Sequence, residues 1–135
     1  MVAINITDGA TVWVDGTQFH NNRVGIAVPD NGTPYTSMAC YIANSTFYSD
    51  APMPQPYPGQ TTAVGQKGYA AIDVYNTSFD LVGENNTIHS LSNGIVGHRS
   101  NLYIADCTIE NIQPDPTYAY SGNGSGIYAR GGQGT

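Results

Sequence analysis

Short triplets of hydrophobic, any, hydrophobic recur along this chain. Each is followed by a small polar residue, then Phe or Ile, and later by a small residue and Ile. The first copy is Val12-Trp13-Val14 with Thr17, Phe19, Gly25 and Ile26. The second is Cys40-Tyr41-Ile42 with Ser45, Phe47, Ala71 and Ile72. The third is Phe79-Asp80-Leu81 with Asn86, Ile88, Gly94 and Ile95, and the fourth is Leu102-Tyr103-Ile104 with Cys107, Ile109, Gly126 and Ile127. Alternation of this kind is the period of a strand, and no segment carries the i, i+3, i+4 stripe of a helix. Gly and Asn scattered throughout weaken helix further. A unit that cannot bury its own apolar side must stack on its neighbours.

The spacing sets the expected architecture. Ile88 to Ile109 is 21 residues and Ile72 to Ile95 is 23. Three short strands and three turns fill that length, which is one rung of a parallel β-helix. The four copies predict about four rungs. Gly16, Asn44, Asn85 and Asp106 fall at the first corner, where left-handed backbone is needed. Thr17, Ser45, Asn86 and Cys107 form the next inward column, small enough to hydrogen-bond along the stack. Phe19, Phe47, Ile88 and Ile109 are the expected core spine. Gly25, Ala71, Gly94 and Gly126 precede the third strand, where close backbone approach favours a small residue.

The rungs are unequal. Phe19 to Ile26 and Ile88 to Ile95 are 7 residues each, but Phe47 to Ile72 is 25 and Ile109 to Ile127 is 18. Both excesses leave the same corner. They hold the Pro-rich stretches 50–59 and 113–118, which are expected to be extended loops. A smaller insertion, around 29–34, leaves a different corner. Loops gathered on one flank of a solenoid make a binding surface; simple drift in turn length also accounts for them. Four rungs at ~4.8 Å give a stack roughly 20 Å tall. Neither end shows a cap, so open strand edges invite end-to-end association and marginal stability. Residues 1–135 therefore read as a single β-helix domain or a fragment of a longer one.

Composition narrows the function classes. The net charge is -6 with only 4 Lys+Arg, so nucleic acid is excluded as a partner and an anionic membrane surface is disfavoured. No apolar run approaches the ~20 residues of a membrane helix, and no leader is visible at Met1-Val2-Ala3. Cys40 and Cys107 occupy inward positions in different columns, which predicts buried free thiols rather than a disulfide. Asp and Glu are too dispersed for a calcium site, and no Cys/His spacing suggests zinc. No Gly-rich loop opens a helix, so no metal or cofactor is expected.

Two outward columns carry candidate chemistry. Trp13, Tyr41, Asp80 and Tyr103 form the first, whose aromatic members can stack on sugar rings or simply pad the sheet. His20, Tyr48, His89 and Glu110 form the second. His89 and Glu110 on adjacent rungs are expected within hydrogen-bond reach, a weak acid/base pair without a third partner. His98 and Arg99 lie in the turn after Ile95. Six Asn-x-Ser/Thr triplets begin at Asn5, Asn31, Asn44, Asn76, Asn85 and Asn123. They are glycan acceptors in a eukaryotic secreted protein or the product of an Asn/Thr-rich composition.

The run Asn93-Gly94-Ile95, the segment Ser100 to Ile112 and Gly124-Ser125-Gly126-Ile127-Tyr128 resemble the right-handed parallel β-helix repeats, pectate-lyase-like in fold, of bacterial secreted proteins. The loop Pro56-Tyr57-Pro58-Gly59 is similar to those interrupting rungs in large cell-surface and type IX-secreted proteins of Bacteroidota. The resemblance covers roughly residues 10–130 and is specific for fold, not for function. Gly97-His98-Arg99 resembles the Gly-His-Gly element of β-helical polygalacturonases, but without the second Gly. No Asn-Thr-Asp, Asp-Asp or Arg-Ile-Lys run accompanies it, so no catalytic motif carries over. The resemblance implies an extracellular or bacterial cell-surface segment, a non-catalytic scaffold or adhesin-like surface that meets carbohydrate or another surface protein. Trp13, Tyr41 and Tyr103 are its expected ligand contacts. The alternatives are a fragment of a polysaccharide lyase or glycoside hydrolase of the β-helix type, with His89, Glu110, His98 and Arg99 as its reactive cluster, or a phage tailspike segment.

Overall fold

The computed structural model describes residues 1–7, 10–29, 38–51, 67–75, 79–116, 123–131 and 133–134. Every regular element among them is a strand, and no helix occurs among them. The chain deals its strands to three sheets in rotation. β1 (Val2–Asn5) begins the first sheet, β2 (Val12–Asp15) the second and β3 (Gln18–His20) the third. The circuit repeats with β4 (Val24–Val28), β5 (Met38–Ala43) and β6 (Thr46–Tyr48). It repeats again with β7 (Ala70–Tyr75), β8 (Phe79–Glu84) and β9 (Thr87–His89), then with β10 (Asn93–His98), β11 (Asn101–Ala105) and β12 (Thr108–Glu110). β13 (Ile127–Arg130) returns to the first sheet and β14 (Gln133–Gly134) to the second. The pairings that join neighbours are parallel, as between β4 and β7, β5 and β8, and β6 and β9. This all-β arrangement is compatible with a β-helix or solenoid.

The register confirms most of the expected columns. Phe19 pairs with Phe47, Phe47 with Ile88 and Ile88 with Ile109, forming one ladder. The two Phe rings stack with centroids 4.4 Å apart and planes 1° from parallel. Ile4, Ile26, Ile72, Ile95 and Ile127 form the matching ladder of the first sheet. Burying a side chain such as Phe47 or Ile72 fully contributes about 2–3 kcal/mol. The spine needs the small residues facing it. A Cβ on Gly25 would lie 2.7 Å from the Phe47 ring, and one on Gly94 would lie 2.2 Å from the Gly126 carbonyl oxygen.

The corners follow the chemistry expected of them. Gly16, Asn44, Asn85 and Asp106 have φ of 58°, 51°, 53° and 50°. Inside that corner a polar ladder climbs the stack. The Thr17 amide donates to Ser45 Oγ at 3.1 Å, and the Ser45 amide donates to Asn86 Oδ1 at 2.9 Å. Asn86 Nδ2 donates to the Ile42 carbonyl at 2.8 Å. Outside it, Asn85 Nδ2 donates to Asn44 Oδ1 and Asn44 Nδ2 to Asp15 Oδ1, both at 2.7 Å. The inner bonds satisfy groups that a stack of bare corners would leave buried and unpaired.

Three features differ from the expected pattern. Leu81, not Phe79, pairs with Cys40, and Leu81 also pairs with Leu102. The third copy therefore sits two residues later than the triplet suggested. Val82, not Asp80, takes the outward place between Tyr41 and Tyr103. The cause is Gly83, which occupies the inward position of Ile42 and Ile104 and contributes no side chain to the alternation. Second, β1 adds a strand before the first copy, and Ile6 just after it is buried. Third, Cys107 is only half-buried; its thiol donates to the Ala105 carbonyl at 3.2 Å. Cys40 is buried as expected, and that burial pushes its thiol up to about 12. Both are free.

The connections β6 to β7 and β12 to β13 both run from the third sheet to the first. The two longest spacings therefore do leave the same corner. Most of their Pro-rich residues, 52–66 and 117–122, lie outside the described residues, as do residues 30–37 of the smaller insertion. The described stems touch. The Lys67 amide donates to Asp115 Oδ2 at 3.3 Å, and Lys67 Nζ donates to Gln113 Oε1 at 3.1 Å.

Candidate functional site

Each sheet turns one face outward, and the three faces differ in chemistry. On the second sheet Trp13 pairs with Tyr41, Tyr41 with Val82 and Val82 with Tyr103. The Trp13 and Tyr41 rings stack with centroids 5.4 Å apart at 27°. Trp13 is 75% exposed and Tyr103 46%. Val82, in the place expected of Asp80, separates Tyr103 from the stacked pair.

On the third sheet His20 pairs with Tyr48, Tyr48 with His89 and His89 with Glu110. The rings of His20 and Tyr48 stack at 4.4 Å, and those of Tyr48 and His89 at 5.1 Å. His89 and Glu110 are neighbours in register as expected. The His89 ring, however, bonds Ser90 Oγ at 3.1 Å through Nδ1. The carboxylate partner on this face belongs to the other histidine. His20 Nε2 lies 2.6 Å from Asp50 Oδ1. Asn21 Nδ2 also donates to that oxygen at 2.9 Å. The bonds from Asn21 and then His20 hold the Asp50 carboxyl below its ordinary value.

The first sheet is built differently. Val24, Tyr69, Ala70 and Val96 are buried in a second apolar cluster separate from the main core, with Ala27 and Tyr128 packed against it. Tyr69 comes from the segment entering β7. It is anchored by its own backbone, whose amide donates to the Arg23 carbonyl at 2.6 Å. Asp73 sits in this row, in register with Ala27 on one side and Val96 on the other. In the next row Tyr75, His98 and Arg130 are neighbours in register. The Tyr75 and His98 rings approach to 4.2 Å, and Tyr128 meets His98 edge-on at 5.6 Å. The Arg99 guanidinium lies 5.7 Å from the Tyr75 ring centroid, a cation–π distance.

Two recesses result. One, of about 450 Å³, is lined by Arg23, Val24, Tyr69, Asp73, Tyr75 and His98, among others. The other, of about 310 Å³, is lined by Tyr75, His98, Arg99, Arg130 and Gly131. Tyr75 and His98 line both, so the two adjoin. Both volumes fall in the range of small-molecule sites. Three of the chain's 4 Lys+Arg residues, Arg23, Arg99 and Arg130, lie here.

Desolvation shapes the titrating groups. Burial pushes the Asp73 carboxyl up to about 6. Burial also lowers His98 below the usual imidazole value, and the charges of Arg130 and then Arg99 lower it further. His98 is therefore a neutral donor or acceptor at pH 7. No group of three or more metal-ligating side chains occurs among the described residues.

The structure divides the four reactive candidates. His98 and Arg99 stand at the recesses, whereas His89 and Glu110 stand on another sheet. Sequence reasoning missed Asp73, Tyr75 and Arg130. The signal was present: each lies one or three residues beyond the Ile72–Ile95–Ile127 ladder, at outward positions of the strands of the first sheet. In comparisons with known proteins, no family model, no curated protein and no solved structure matches this chain.

Proposed function

We propose that this chain is a segment of a secreted or cell-surface right-handed parallel β-helix of about four turns, one that binds carbohydrate without cleaving it. The turns are interrupted by Pro-rich loops. The resemblance of its repeats to those of bacterial cell-surface proteins, including those of Bacteroidota, supports the setting. One observation carries the binding reading: two adjoining recesses on the first sheet share Tyr75 and His98. Sugar rings offer apolar faces and polar rims. Tyr75 and Tyr69 supply rings for the faces, and His98, Asp73 and the arginines supply partners for the rims. Among the described residues β1 and β13 are the edge strands of the first sheet, and such edges suit pairing with a further copy or a neighbouring surface protein.

Binding is favoured over hydrolysis on chemical grounds. Glycoside hydrolysis by the usual route takes two carboxyl groups flanking the bond. Among the described residues lining these recesses, Asp73 is the only carboxylate. Elimination is the second reading, because a neutral His98 beside two arginines has the character of a base.

A glycan array tests both. Binding lost in Tyr75→Ala and kept in Trp13→Ala supports the recesses. The opposite pattern moves the site to the second sheet, and no binding by the wild type removes the carbohydrate reading. Release of unsaturated sugar ends, abolished by His98→Ala, would replace binding with the elimination reading.

A further inference from the structure

Resting on the carbohydrate reading above, we propose that Asp73 gates binding by pH: the larger recess holds its saccharide while Asp73 is ionised and lets it go in mildly acidic solution.

Placement is the first reason. Asp73 lies on β7 in register with Ala27 on one neighbouring strand and Val96 on the other. Val96 is buried in the apolar cluster with Val24, Tyr69 and Ala70, and Ala27 packs against that cluster. Asp73 is half-buried and lines the recess of about 450 Å³. Tyr75, two positions further along the same strand, lines it too. Alternate residues of a strand share a face and stand about 7 Å apart, a gap that one sugar ring bridges. A saccharide stacked on the Tyr75 ring can therefore bring its hydroxyl edge to Asp73.

Hydrogen bonding is the second reason. An ionised carboxylate between apolar neighbours is short of the donors that water would give it. Sugar hydroxyls supply them. The ionised group accepts through both oxygens in charge-assisted bonds. The protonated group keeps a proton of its own and makes only neutral bonds, roughly half as strong. The ligand therefore favours the ionised form and, by linkage, draws the proton off Asp73.

The direction follows. Burial puts the free Asp73 carboxyl at about 6, and the ligand lowers it. Affinity is full above about 6 and falls as the pH drops below that value. Without burial the change would lie near the ordinary 3.8, out of reach of mild acid. Other charged or titratable residues line the same recess: Met1 just before β1, Arg23 just before β4, Tyr69 just before β7, and His98 on β10. Arg99 and Arg130 line the adjoining recess, and Tyr128 on β13 meets His98 edge-on. His98 is the competing titrant, because burial, then Arg130 and Arg99, bring it below the usual imidazole value. Its protonation adds a donor and a charge in acid, which a variant separates from the change at Asp73.

The test is a glycan array probed with the full chain at pH 7 and at about pH 5. Calorimetry follows on the tightest member with wild type, Asp73→Asn and His98→Gln. Wild-type affinity should fall about tenfold from the higher pH to the lower, the difference between a charge-assisted and a neutral hydrogen bond. Near pH 6, complex formation should release protons, counted by repeating the titration in buffers of different ionisation heat. Asp73→Asn should bind equally at both pH values and release none, and His98→Gln should weaken binding at both and keep the fall. A carbon-detected titration of Asp73, free and loaded, answers without a variant: its midpoint should move down on loading. Equal wild-type affinity at the two pH values, tighter binding in acid, a fall that survives Asp73→Asn or vanishes in His98→Gln, or a midpoint that stays or rises overturns the gate and leaves the carbohydrate reading standing. If no glycan binds at either pH, both readings fall.

Discussion

The outer faces of the first and second sheets are made from the same pleat and the same stacking of parallel strands, but they have different surroundings. On the second sheet the exposed rings of Trp13 and Tyr41 stack on each other, one rung above the next. On the first sheet Tyr69, from the segment that enters β7, is buried in one apolar cluster with Val24, Ala70 and Val96 and lines the larger recess. A ladder of rings alone makes a flat strip. A ladder with a wall makes a recess, and only in a recess is water thinned enough to move a carboxyl from its usual 3.8 to about 6. The walls, more than the rings, separate a candidate site from ordinary sheet surface.

Removing the wall should have the largest effect. Tyr69→Ala takes out a buried ring while leaving its backbone bonds in place, at a cost of about 3 kcal/mol in unfolding free energy. In the same variant Asp73 should titrate in the ordinary carboxylate range, read by carbon-detected NMR. Tyr103→Ala on the second sheet should cost no more than about 1 kcal/mol and move no titration. An unchanged Asp73 in the Tyr69 variant would show that the wall is not what desolvates it.

A smaller effect comes from Asp73 itself. Its folded value lies above its unfolded value, so the native state holds the proton more tightly. The stability this contributes is fully present below about 3.8 and is lost as the pH rises through about 6. At pH 7 the buried charge is a burden. Two pKa units correspond to nearly 3 kcal/mol, and partial exposure reduces this, so Asp73→Asn should stabilise the protein by about 1–3 kcal/mol at pH 7. The gain should vanish below pH 4. Urea midpoints of the two proteins across that range give the difference directly, and other carboxylates cancel between them. Parallel curves would mean that Asp73 is not desolvated.

The stacking was legible in the sequence because its signals are local. Thr17, Ser45, Asn86 and Cys107, each two residues before a Phe or Ile of the spine, mark the corner, and the Ile and Phe/Ile ladders follow by counting. The slip in the third copy arose where counting met a glycine. Gly83 holds an inward place with no side chain to announce it, while Phe79 and Leu81 imitate the pattern two residues early. The recesses were illegible for another reason. Asp73 and Tyr69 are unremarkable until Tyr69 is known to line the recess, and that depends on how a long connection returns to β7. His98 and Arg99 were visible as a polar pair, but Arg130, one strand away across a long connection, was not.

The smallest effect sharpens the contrast most. Trp13 is 75% exposed, so Trp13→Ala removes little transfer energy and mainly one stacked partner for Tyr41. Such a pair is worth about 0.5–1 kcal/mol. On the first sheet Tyr75 and His98 approach more closely, 4.2 Å against 5.4 Å, and do so beside desolvated neighbours. Electrostatic attraction between a ring face and an imidazole strengthens as water is removed. A double-mutant cycle on Tyr75 and His98 should therefore give a larger coupling energy than one on Trp13 and Tyr41, with all variants changed to Ala and stability read by urea unfolding. If the two couplings are equal, the recesses are no drier than the open strip, and the first sheet loses the property that distinguishes it.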